Sequence, residues 1–185
     1  MLDEQRLVGW GASMRAAVAR ALRDILSTYP FEPGAQTVGP PAPEADLAAL
    51  RSRVPWVPDD LVAVCRWVGE VSLPDIANGY FMFGPRYIHG VLDHDDGRAD
   101  RIGELFAEDV DVVVFGSDGG GTLYAIAVGG VGTVYRLDGC AYQAGAYRGR
   151  AGSGVTAVAE HLDDFLERLL AAVEAFADDG RISDL

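Results

Sequence analysis

The chain has no lysine: all 15 of its basic residues are arginine. This alone removes the phosphate-binding P-loop, GxxxxGK[ST], whose lysine reaches the nucleotide phosphates. An excess of positive charge is missing too. The 28 acidic residues leave a net charge of −13, and a nucleic-acid binder needs a basic surface to replace the counterions of the phosphate backbone. Cysteine is scarce, with only Cys65 and Cys140. Neither stands in a CxxC pair or at a metal-ligand spacing, which excludes a disulfide framework and a zinc ribbon, so both are expected as buried thiols. No apolar run approaches the roughly 20 residues that cross a bilayer. The opening Met1-Leu2-Asp3-Glu4 has neither the basic start nor the apolar stretch of a signal peptide, so the expected compartment is the cytoplasm, with no membrane partner.

What is present suits a globular fold. With 185 residues and 49% hydrophobic side chains, there is material for one core. Apolar residues recur every three or four positions from Leu7 through Trp10, Met14, Val18, Leu22 and Ile25 to Tyr29, predicting a long amphipathic helix over 1–29 that Pro30 ends. Residues 30–43 carry five of the nine prolines and read as a semi-extended linker. The apolar stripe of the first helix then has two outlets, a homodimer or packing back on its own chain. Pro43 and Pro58 are placed to open two short helices. In the second of these, Asp59 and Asp60 suit the positive end of the helix dipole and Gly69 suits its C-terminal end.

Strand signals occupy the middle of the chain. Asn78-Gly79 is a turn dipeptide ahead of the aromatic strand Tyr80–Phe83, and Tyr87–Leu92 reads as a further strand or an irregular edge. Ile102, Leu105 and Phe106 are spaced for a short helix. The continuous run Val112–Phe115 predicts a strand covered on both faces, Gly116–Gly121 a turn, and Leu123–Val128 and Val131–Leu137 two alternating strands joined at Gly129-Gly130. A last helix is predicted over His161–Phe176. Helices flanking a block of short strands give an α+β fold: one domain over 44–177 with a central, mainly antiparallel sheet flanked by helices, preceded by the N-terminal helix and followed by a tail over 178–185.

Chemical motifs are few. Gly119-Gly120-Gly121-Thr122 has the glycines of a phosphate cradle, but strand residues follow where a helix is required. His89, Asp93, His94, Asp95 and Asp96 gather metal-ligand types without HExxH or calcium-loop spacing, so a metal-dependent enzyme on His89 and His94 is the weaker reading. Ser117 and Ser153 lack a nucleophile elbow, and Asp118 suits a turn acceptor better than a catalytic carboxylate. No catalytic residue, cofactor or metal site is therefore expected. Charge is more telling. Residues 93–111 and 160–185 each hold eight acids against two arginines and account for nearly all of the excess. Such clusters steer a basic partner into contact or serve as solvated faces.

The order of features resembles one family. Val57-Pro58-Asp59-Asp60-Leu61 ending at Val68-Gly69, Leu73-Pro74-Asp75-Ile76-Ala77-Asn78-Gly79-Tyr80-Phe81, Val114-Phe115-Gly116-Ser117-Asp118-Gly119-Gly120-Gly121-Thr122-Leu123-Tyr124, Val134-Tyr135 and a helix around Phe165-Leu166 resemble the SUKH superfamily, over about Leu47 to Phe176. That group includes a fungal cell-wall synthesis regulator and many bacterial immunity proteins. Two features depart from it: Val68-Gly69 stands where many members have Asn-Gly, and residues 1–43 lie outside the shared pattern. The resemblance implies a sheet backed by helices, no catalytic centre, and structural roles for Gly116, Gly121 and Tyr124. It further implies a protein that binds and neutralises a toxin domain, often a nuclease, with a general regulatory or scaffolding module as the alternative. Charge assigns the contact surface to Asp93, Asp95, Asp96, Asp100, Asp109 and Asp111, with Tyr87 and Arg98 as neighbours, facing a basic protein toxin.

Overall fold

The computed structural model describes residues 2–92, 100–103, 110–139, 142–143, 146–148, 154–183 and 185. The first helix, α1 (Glu4–Asp24), starts where the Asp3 carboxylate accepts a hydrogen bond of 2.7 Å from the Arg6 amide, a side-chain N-cap. Its stripe of Leu7, Trp10, Met14, Ala17, Val18 and Ala21 is buried within the chain itself. It packs against the last helix, α5 (Leu162–Asp179), and joins one continuous core with it. Of the two outlets for that stripe, the chain uses its own interior. The Trp10 indole donates to the Leu166 carbonyl at 2.7 Å, so the largest apolar side chain of the contact also has its polar atom paired. Arg6 bridges Asp163 at 2.9 Å and Glu167 at 2.6 Å across the rim.

After a 3-10 turn (Leu26–Thr28), the proline-rich segment differs from the linker expected of it. Its strand β1 (Thr37–Val38) pairs antiparallel with β2 (Val71–Leu73), which follows helices α2 (Glu44–Arg53) and α3 (Asp59–Val68). Arg15 on α1 donates to the Val38 and Gly39 carbonyls at 3.4 and 2.8 Å and so ties the segment to the helix. β2 continues the sheet to β3 (Tyr80–Met82). Next comes α4 (Pro85–Leu92), where the sequence reads as strand or irregular edge. Helix prevails because Pro85 fixes a helical φ at the first position, and the Gly84 carbonyl accepts from both Tyr87 and Ile88 amides.

The remaining strands are β4 (Asp100–Gly103), β5 (Val110–Asp118), β6 (Thr122–Ala127), β7 (Val134–Asp138), β8 (Tyr142–Gln143), β9 (Ala146–Arg148) and β10 (Val155–Ala159). The order β10-β7-β6-β5 forms one flank of the sheet. Beyond β5 the sheet divides: Gly116–Asp118 pair with β3, whereas Val110–Val112 pair with β4. Among the described residues, all pairings are antiparallel except β4 with β9. The fold is α+β with a mainly antiparallel sheet, as the element order predicts. Ile102, expected in a short helix, lies in β4; Leu105 and Phe106 lie outside the described residues.

β5 is apolar from Val112 to Phe115 because both its faces are covered there. Val113 and Phe115 face the helices with Tyr124 and Ile126, while Val112 and Val114 join Ile102, Ala125, Tyr135, Leu137 and Tyr147 in a second cluster. Phe115 meets Phe165 of α5 edge-on, with ring centroids 5.3 Å apart. The strand runs on to Asp118 instead of turning at Gly116, since β3 supplies its last three residues with partners. That approach requires glycine. A Cβ on Gly116 would stand 2.5 Å from the Phe81 carbonyl oxygen, and one on Gly119 would stand 2.0 Å from that of Asn78. Among the described residues, no helix is long and apolar enough to cross a membrane.

Two stability measurements follow. Trp10→Ala removes a buried indole and its hydrogen bond, and should lower unfolding free energy in urea by about 3–5 kcal/mol. Ala77 holds a positive φ of 56°, rare for a residue with a Cβ. Ala77→Gly should raise the urea midpoint, by about 1 kcal/mol of stability.

Candidate binding groove

Pro40, Pro41, Ala42 and Pro43, between β1 and α2, form one wall of a groove of about 460 Å³. Gly69 and Glu70 from the end of α3 and Gly84, Pro85, Arg86 and Tyr87 from the start of α4 line the rest, with Asp46 of α2 below Arg86. The wall is held by backbone. Gly39 donates to the Glu70 carbonyl at 2.8 Å, and the amides of Ala42 and Gly69 both donate to that of Cys65, at 3.1 and 3.0 Å. Gly69 adopts a φ of +77° within reach of the Pro40 carbonyl, where a Cβ would stand 2.0 Å away. A side chain there would push the proline wall off α3.

Tyr87 projects from the mouth of this groove. It is 56% exposed, and its ring lies 4.3 Å from that of Phe83 at an interplanar angle of 42°. Beside it, Arg86 Nε donates to Asp46 Oδ2 at 2.9 Å; this bond holds the Arg86 guanidinium above its usual pKa, and the arginine side chain stays 79% exposed.

Of the residues that charge assigns to a contact surface, Tyr87 thus stands exposed at a groove. Asp100 opens β4 opposite Val112, and Asp111 is exposed on β5 opposite Arg101. Asp93, Asp95, Asp96, Arg98 and Asp109 lie outside the described residues, as do His94 and Ser153. What the fold does establish is connectivity: α4 leads from the groove straight into the acidic run, and the chain returns along β4 to β5. Pro40, Pro41, Asp46, Glu70 and Arg86 have no functional signal in the sequence. The prolines read as a linker, and only the pairing of β1 with β2 turns them into a wall.

The glycine motif has a structural explanation. The glycine turn after Asp118 is already filled by an anion of its own chain, because Asp118 Oδ1 accepts from the Gly120 and Thr122 amides, both at 2.9 Å. β6 follows it, with no helix dipole to favour phosphate. Among the described residues, no group of three or more His, Cys, Asp or Glu is arranged to hold a metal. No protein-family model matches the chain, and no curated protein is similar to it.

Cys65 sits behind the proline wall, and burial pushes its thiol up from 9.0 to about 12. An unfolded thiol ionises near 9.0 while the folded one stays protonated to about 12, so rising pH across that window favours the unfolded chain. Burial raises Tyr135 as well, which adds in the same direction. Urea midpoints measured from pH 8 to 11 should therefore fall, and Cys65→Ala should flatten part of that slope. The native thiol should resist iodoacetamide at pH 8 and react once unfolded.

Proposed function

We propose that this chain is a non-catalytic protein-binding domain that neutralises a toxin domain of basic surface. The observation that carries the reading is Tyr87, a large exposed aromatic in tilted contact with Phe83 at the lip of a formed groove. Exposed aromatic anchors beside a pocket are what concentrate binding energy at protein interfaces. α4, which bears Tyr87, runs directly into the most acidic stretch of the chain, residues 93–111. A net charge of −13 draws a basic protein toward that face, and the resemblance to SUKH immunity proteins supplies the role. Neutralisation needs no chemistry from the chain, since covering a toxin's active site suffices.

Coexpression with toxin domains encoded beside its gene tests the proposal. The chain should restore growth and copurify with one of them. Tyr87→Ala should weaken that complex by about tenfold or more, and affinity should fall as salt rises. If no neighbouring toxin is bound or neutralised, the immunity role is wrong, and a regulatory module without a toxin partner takes its place.

A further inference from the structure

The chemistry of the groove specifies what enters it more narrowly than the charge of the whole chain does. Four of its lining residues, Pro40, Pro41, Pro43 and Pro85, have no N–H to offer. Of the amides around it, those of Ala42 and Gly69 donate to the Cys65 carbonyl, that of Asp46 to Pro43 and that of Tyr87 to Gly84. Arg86 gives its Nε–H to Asp46 at the rim, and its side chain is exposed. Acceptors are left over. The exposed Glu70 carboxylate has no hydrogen bond or ion pair among the described residues, and two glycines leave room for it: a Cβ on Gly39 would lie 3.2 Å from its Cγ, and one on Gly84 3.2 Å from its Oε2. The Tyr87 ring, braced by Phe83, adds a π face at the lip.

An unpaired carboxylate beside an exposed aromatic ring and a proline wall is complementary to a cation that carries many donors. We infer that the groove receives an arginine side chain from an extended segment of the protein partner, its guanidinium paired with Glu70 and its plane against Tyr87. Arginine fits better than lysine. Its flat guanidinium stacks on an aromatic ring while its edge bonds a carboxylate, whereas an ammonium is a compact, strongly hydrated point charge. The proline wall contributes by supplying apolar surface for the arginine stem without competing donors.

This inference rests on the protein-binding reading, yet it can fail independently. The isotopically labelled full chain is titrated with the blocked tripeptide acetyl-Gly-Arg-Gly-amide and followed by the amide resonances of Gly39, Gly69, Gly84 and Tyr87. Saturable shifts are expected with the arginine peptide, and none with its citrulline counterpart, which has the same shape without the charge. Glu70→Gln and Tyr87→Ala should each weaken binding at least fivefold with unchanged melting temperatures, because both side chains are exposed. Equal shifts with citrulline, or wild-type binding by Glu70→Gln, would overturn the inference, and equal binding of a lysine peptide would overturn the choice of guanidinium. A chain that neutralises a toxin but ignores the arginine peptide refutes only the groove assignment; one that binds the peptide but no neighbouring toxin refutes only the immunity role.

Discussion

The fold depends on β5 having more length than any one neighbour on one of its sides. Nine residues long, it pairs with β6 on one edge and divides the other between β3 at its C-terminal end and β4 at its N-terminal end. That division sets the position of everything between β3 and β4. The chain leaves the sheet after Met82, opposite Gly116, and returns at Asp100, opposite Val112, and α4 opens the excursion between them. β3 can approach closely only because Gly116 has no side chain to meet the Phe81 carbonyl. Core, sheet division and groove are therefore linked: a register shift of β5 would exchange its buried faces and move the strand from which α4 departs.

Much of this was legible from local pattern. α1, α3 and α5 announce themselves by apolar residues at helical spacing, and β5 to β7 by a continuous apolar run followed by alternation, because burial on one face or two leaves distinct periods. Three elements were not. β1 is two residues long within a proline-rich segment, and its strand character comes from β2, which is distant in sequence. α4 carries aromatic and β-branched residues that read as strand, but Pro85 and the Gly84 carbonyl decide for helix. Gly116 reads as the start of a turn, whereas it marks the close approach of another strand. For β1 and Gly116 a contact remote in sequence overrides the local preference, whereas for α4 the helix start itself decides.

The site was less legible than the fold for the same reason. Tyr87 stood out as an aromatic next to acidic residues, yet the groove it borders is assembled from three segments that share no sequence pattern: 40–43, 69–70 and 84–87. Glu70 is one acid among 28 in the sequence. Only its placement between Gly39 and Gly84, without a counterion among the described residues, sets it apart.

Charge and groove act at different stages of recognition. Several arginines pair within the chain: Arg6 with Asp163 and Glu167, Arg20 with Asp178, Arg51 with Asp59, Arg66 with Glu44, Arg86 with Asp46 and Arg181 with Asp179. Each exposed pair contributes little to stability. With every arginine counted the net charge is still −13, so the long-range field of the protein stays negative. Such a field accelerates encounter with any basic molecule, nucleases and ribosomal proteins alike, and it weakens within a Debye length of about 8 Å at physiological salt. Discrimination has to come from short-range geometry. In the reading proposed above, the Glu70 carboxylate, the Tyr87 ring and the proline wall provide it, because a basic surface that presents no extended arginine would be attracted by charge and yet find nothing to bind in the groove.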